Sequence, residues 1–285
     1  MTMYKPEQDA DQRPDVAESA ISILVGTPCA QGGLTAAYFH SMTRLRDRCA
    51  ELGWSLQVRT REDGLVNRTR NIFGSQMVRS EQFTHLLMVD ADIGFGPGVV
   101  ERLVNSEHDV VGACVPLRQV RWDAVRDAIG KAPDLTSAEL ESIAHRYAVT
   151  FFPKPDNTGS VTPVDGFVPA RFVGGAMLLA RREAFLRLSE SDLVTYYARG
   201  GNYSDWEPDG WTFFDPLVDP DGSNYLSEDY AFCHRWRAWG GTVWADLRSQ
   251  VTHNGTLTVA GDVAQTLRTA ARLVSDGSTP ADHRS

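Results

Sequence analysis

Two carboxylates one residue apart, Asp90 and Asp92, close the apolar run His85-Leu86-Leu87-Met88-Val89. A short apolar run of this kind reads as a buried strand, and acids at its end arrive at the carboxyl edge of a sheet, where open α/β folds bind ligands. Paired carboxylates suit a hard divalent cation and, through it, a phosphate. The competing reading is a strand followed by an ordinary turn, in which Asp and Gly are common. A second acidic pair, Glu228-Asp229, follows Ser227 and opens a stretch in which Phe232, Trp236 and Trp239 recur at helical spacing before Gly240. Ser227 suits an N-cap and Gly240 the C′ position. Acids in a first turn complement the helix dipole, by about 0.3–1 kcal/mol, whatever else they do. The functional alternative is that one of the pair faces a cleft as a general base while its neighbour orients it. Late in the chain, Val251-Thr252-His253-Asn254-Gly255 reads either as a surface turn or as the source of an imidazole ligand for a metal held by Asp92.

The elements that must position these residues alternate from Ile21 onward. Ile21–Val25 is expected as a strand leading into a Gly- and Pro-containing loop, Thr27–Gly33. A helix over Thr35–Leu52, a strand over Ser55–Arg59, a helix over Asn67–Ser80, the strand ending at Asp90, a helix over Val99–Ser106 and a strand over Asp109–Val115 follow. Such βα alternation implies a mainly parallel sheet with helices on both faces, and it brings the Thr27 loop and Asp90 to one edge. Trp122–Ile129 and Ser137–Arg146 read as short helices, the second opened by a capping box of Thr136 and Glu139. Val149–Val168, rich in Pro, Gly and Thr, reads as a hairpin or insertion outside the sheet core. Gly174-Gly175 lies within an apolar strand over Phe172–Ala180, where glycine marks close approach by a ligand or another backbone. Between Tyr196 and Phe214, seven aromatic residues stand in loop-like sequence; they serve either as stacking platforms for sugar rings or as the core of a small lobe.

Composition narrows the partners. At 285 residues, 42% hydrophobic and 23% charged, the chain has ordinary globular composition and can bury a sizeable core. A net charge of −9 argues against a nucleic acid or an acidic membrane surface as the main partner. Cys29, Cys49, Cys114 and Cys233 lack metal-knuckle spacing and read as reduced thiols. Residues 1–20 are polar and read as a disordered tail without the apolar core of a signal peptide. No run approaches the roughly 20 apolar residues that span a bilayer, so a soluble, cytoplasmic protein is expected.

Taken in order, Thr27-Pro28 after the first strand, Arg70-Asn71 on the second helix, Asp90-Ala91-Asp92, Gly174-Gly175, Glu228-Asp229 and the late His253 resemble the GT-A glycosyltransferases, most closely bacterial and viral members of the large inverting group. The likeness covers Ile21 to Gly255 and is carried by Thr84–Phe95 and by Ser227-Glu228-Asp229-Tyr230-Ala231-Phe232. It implies a Rossmann-like α/β fold with an inserted helical and loop segment. The expected layout is one catalytic domain over 21–260, with an insertion at 118–168 and an aromatic loop at 193–220, followed by a C-terminal helix and tail over 261–285. The resemblance also implies metal-dependent, inverting transfer of a sugar from a UDP- or GDP-sugar to a hydroxyl of a glycan or small molecule, with Mn2+ or Mg2+ as cofactor. Asp92 would bind the metal, Asp90 would share it or orient the ribose, His253 would complete the coordination, and Asp229 would be the base beside Glu228. Thr27, Pro28, Arg70, Asn71, Asp90, Asp92, Gly174 and Gly175 would contact the donor. Two alternatives stand beside this: a metal-dependent phosphatase or phosphotransferase with Asp90 as nucleophile and Asp92 as acid, and a non-catalytic nucleotide-sugar-binding module. The phosphatase pattern usually places its Asp-x-Asp on the first core strand, whereas here it follows the third.

Overall fold

The computed structural model describes residues 21–152, 163–198, 209–219 and 222–255. The expected tail over 1–20 and the C-terminal helix and tail over 261–285 lie outside these residues, as do parts of the insertion and of the aromatic loop. The described residues through Asn254 form one compact unit.

The alternation of strand and helix is realised. In order come β1 (Ser22–Pro28), α1 (Ala36–Glu51), β2 (Ser55–Arg61), α2 (Val66–Arg79), β3 (His85–Val89), β4 (Ile93–Phe95), α3 (Pro97–Asn105) and β5 (Val110–Ala113). The helical pair α4 (Trp122–Lys131) and α5 (Ser137–Ile143) precedes β6 (Val149–Phe151), β7 (Phe167–Val173), β8 (Met177–Arg181) and α6 (Arg182–Ser189). Short ladders β9 (Tyr196–Tyr197) with β10 (Gly210–Trp211), and β11 (Leu217–Val218) with β12 (Tyr225–Leu226), lead to α7 (Glu228–Trp239), β13 (Val243–Asp246) and β14 (Val251–His253).

Among the described residues, eight strands form the central sheet in the order β2-β1-β3-β8-β5-β13-β7-β6. By their pairings, β1, β2, β3, β5, β6 and β13 run one way while β7 and β8 run the other, so the sheet is mixed and mostly parallel. The crossovers β1 to β2 and β2 to β3 move in opposite directions along the sheet, and right-handed connections therefore put α1 and α2 on opposite faces. Alternation along β1 follows: Ile23 and Val25 pack with α1 and α3, and Leu24 packs with α2, α6 and α7. Burial on both faces explains why β3 is a continuous apolar run with no polar stripe.

Three expectations are corrected. β1 continues to Pro28, with Thr27 and Pro28 paired to Thr60 and Arg61, so these two residues lie on a strand and not in a loop. Gly174 and Gly175 lie between β7 and β8, outside either strand. Val149–Phe151, expected outside the sheet, forms its edge against β7, and Phe167 opens β7. The capping box at Thr136 and Glu139 is present, and Gly240 closes α7 with φ +108, a left-handed conformation that favours glycine. In the aromatic segment, Phe213 and Phe214 are fully buried beside Phe185 and Phe232, so at these positions the aromatics are core.

His85 sits at the start of β3, 4% exposed, with Nδ1 on the Thr84 hydroxyl and Nε2 without a partner among the described residues. Burial, then the Arg181 guanidinium, lowers its pKa from 6.5 to about 4. The unfolded chain therefore takes up this proton first as pH falls. Stability is complete above 6.5 and drains by about 3 kcal/mol on the way to pH 4. Urea unfolding between pH 7 and 4 should show this slope in the native protein and its loss in His85→Gln; equal slopes would dismiss the His85 contribution.

Candidate functional site

At the carboxyl end of β3 a buried arginine organises the acids. Arg70, on α2 and only 3% exposed, donates from Nη2 to Asp90 Oδ1 at 2.8 Å, and its Nη1 lies 3.4 Å from Glu228 Oε1 at the start of α7. A guanidinium is retained in so buried a place because carboxylates surround it. The Gly174-Gly175 turn closes the other side: a Cβ at position 175 would stand 1.4 Å from Arg70 Nη1, so any other residue would evict the guanidinium. Arg70 Nε and Nη1 have no hydrogen-bond partner among the described residues.

Asp92 faces a different neighbourhood. β14 pairs antiparallel with β4 in the register His253↔Ile93, and Asn254 N donates to Asp92 O at 2.8 Å, so the ladder carries His253 alongside Asp92. His253 Nε2 lies 3.4 Å from Asp92 Oδ2. The other ring nitrogen, Nδ1, is 2.8 Å from the carbonyl oxygen of Pro116, which can only accept; Nδ1 therefore carries the hydrogen and Nε2 is directed at the carboxylate. A backbone carbonyl behind an imidazole is the usual way to orient a metal-binding histidine. Adjacent ligands of an octahedral ion with bonds near 2.1 Å stand about 3 Å apart, so the pair fits a divalent cation. Among the described residues no group of three or more His, Cys, Asp or Glu side chains is placed to hold a metal. Asp90, engaged by Arg70, does not join Asp92 and His253 as a third ligand. A two-ligand site is of the kind that a magnesium-like ion completes with water and substrate phosphate oxygens. Arg118, which nothing in the sequence singled out, also reaches Asp92, with Nη1 3.2 Å from Oδ2.

The neighbours Glu228 and Asp229 are held differently. Asp229 Oδ2 accepts from Gly175 N at 2.9 Å, and Oδ1 accepts from Tyr230 N at 2.8 Å and from the Ser227 hydroxyl. Ser227 therefore occupies the N-cap position of α7 without capping an amide. A carboxylate offers about four lone-pair sites, which leaves Asp229 one, on Oδ2. Among the described residues Glu228 has Arg70 alone at ion-pair distance. Burial raises its pKa; Arg70 opposes the shift while Asp229 and Asp90 add to it.

No family model matches the sequence, and no curated protein matches it. Solved structures similar to it include A197 from STIV, 11% identical, with 85% of this chain and 98% of that chain covered and a TM-score of 0.40. GalNAc-T7 with UDP, GalNAc and Mn2+ is 12% identical over 90% of this chain and 48% of that chain, with a TM-score of 0.40. A Drosophila β1,4-galactosyltransferase 7 mutant, in complex with manganese, UDP-Gal and xylobiose, is 12% identical over 93% and 82% of the two chains, with a TM-score of 0.36. At TM-scores of 0.40 and below, the chemistry of this chain rests on its own side chains.

Several residues expected at the donor are committed elsewhere. Thr27 is fully buried, its hydroxyl 2.6 Å from that of Tyr38. Asn71 is 3% exposed; it accepts from Phe214 N at 2.6 Å and donates to Asp215 at 2.7 Å, which anchors the turn after β10. Gly174 is needed for backbone approach, because a Cβ there would lie 2.7 Å from that of Ala148. Pro28 is half-buried at the end of β1. A cavity of about 750 Å³ beside α3, lined in part by Arg102, His108, Trp244 and Arg248, contains none of the candidate site residues.

Proposed function

We propose that the chain is a metal-dependent glycosyltransferase that moves a sugar from a nucleoside diphosphate to an acceptor hydroxyl with inversion. The observation that carries this is the pairing of Asp92 with an oriented His253 beside the buried Arg70 cluster, at the sheet edge where α/β folds place ligands. Asp92 and His253 would hold a divalent ion, which when bound neutralises the charge developing on a diphosphate leaving group. Arg70 fixes Asp90 and Glu228 beside that pair. The acceptor oxygen attacks the anomeric carbon as the bond to the diphosphate oxygen breaks, and the acceptor proton passes to Asp229 Oδ2, whose remaining lone pair is aimed by the Gly175, Tyr230 and Ser227 donors.

A phosphatase using Asp90 as nucleophile is disfavoured, because Asp90 Oδ1 is engaged by a buried guanidinium. A thermal-shift screen of UDP-, GDP-, CMP- and dTDP-sugars, with and without Mn2+, tests the reading. The matching donor at 100 times its Kd should stabilise the fold by about 2.7 kcal/mol with metal present. Silence from all four families with Mn2+ and Mg2+ would refute nucleotide-sugar chemistry.

A further inference from the structure

Resting on that reading, we propose that Arg118 is a resident counter-cation that holds Asp92 when the metal is away and becomes a diphosphate-binding residue when the donor arrives. Arg118 Nη1 and His253 Nε2 converge on the same oxygen, Asp92 Oδ2, at 3.2 and 3.4 Å. A divalent ion bridging Asp92 and His253 needs that oxygen, and the guanidinium carries charge of the same sign, so the two cations compete for it. The competition is mild. Arg118 is 53% exposed, and among the described residues its other contact is one hydrogen bond, 3.3 Å from Nη1 to the carbonyl of Asn254. The side chain is therefore free to swing, while the backbone just before it is tied down by the bond from Leu117 N to Arg146 O at 2.7 Å.

A metal held by Asp92 and His253 would displace the guanidinium, and Arg118 would then be close by to bind the oxygens of a diphosphate. A planar five-donor fork suits such oxygens better than a lysine does. The expected consequence is that metal and nucleoside diphosphate bind synergistically: metal alone is opposed by Arg118, and metal with diphosphate is assisted by it.

Titration calorimetry on the native protein, Arg118→Ala and Arg118→Lys separates the possibilities, with Mn2+ alone and then with UDP, GDP, CDP and dTDP in saturating Mn2+. Arg118→Ala should bind Mn2+ alone a few-fold more tightly, as loss of a half-exposed ion pair allows. It should bind the preferred nucleoside diphosphate about tenfold or more weakly, with Arg118→Lys intermediate on both measures. Unchanged Mn2+ affinity, or unchanged diphosphate affinity in Arg118→Ala, overturns the role of Arg118 and leaves the transferase reading standing. Failure of the native protein to bind any of the four diphosphates overturns both.

Discussion

Asp229→Asn should lower the turnover number by about 10²–10⁴, the range typical of losing a general base, while donor affinity changes little. The substitution is not a silent isostere in this site. An amide keeps one acceptor oxygen and turns an NH2 toward either the Gly175 N–H or the donors of Tyr230 and Ser227. One backbone donor is thereby left facing another, at a cost of about 1–3 kcal/mol in stability. Rate and thermal midpoint must accordingly be measured together, under conditions where the variant remains folded. Glu228→Gln is the comparison: it leaves the Gly175 contact intact and removes a charge from Arg70. If that variant is the inactive one and Asp229→Asn retains its rate, Glu228 is the base and Asp229 holds the Gly174-Gly175 turn; if both keep their rates, the inverting mechanism is wrong.

Asp92→Ala should abolish the Mn2+ dependence of nucleoside diphosphate binding and reduce affinity in Mn2+ by 100-fold or more. The estimate rests on partners of a metal ligand alone costing about 10–100-fold. His253 cannot hold the ion by itself, and no third acid among the described residues stands ready to replace Asp92. The variant also frees Arg118 from its carboxylate, so metal-free binding of the diphosphate should persist weakly and fall with rising salt. Calorimetry with and without Mn2+ reads both effects, and an unchanged affinity in Mn2+ would remove Asp92 from the site.

Much of the scaffold was legible in the residue order. Periodicity located β1, β2, β3 and β5 and the helices among them to within a few residues, because each element is patterned by its own burial; the three-residue β4, which pairs with β14, was not among them. The continuous apolar run of β3, ending in Asp90 and Asp92, is a local signal, as are the capping box of α5 and the glycine that closes α7. Local pattern was weaker where neighbours from distant sequence decide the outcome. Val149–Phe151 is strand-favouring in composition but too short to show a period of its own, and it joins the sheet through β7. Thr27 and Asn71 are polar residues beside a candidate site, yet Tyr38 and the Phe214–Asp215 turn claim their hydrogen bonds.

The same division runs through the site. The sequence by itself determined which residue types were available, the two acidic pairs, an arginine on α2, paired glycines and a late histidine, and it determined that β3 would present its acids at a sheet edge. Tertiary structure decided their partners. The β14–β4 register, which joins His253 to Ile93 across a sequence separation of 160, brings the imidazole to Asp92 and leaves Asp90 to Arg70. Packing of α7 against the Gly174-Gly175 turn gives Asp229 Oδ2 the Gly175 N–H, its Oδ1 being held locally by Ser227 and Tyr230, while Glu228 meets Arg70. Arg118 reaches Asp92 through a loop with no motif at all. Hydrogen bonds and ion pairs act over about 3 Å in space, whatever the separation along the chain, and that is why residue spacing reveals the ligands but not their pairing.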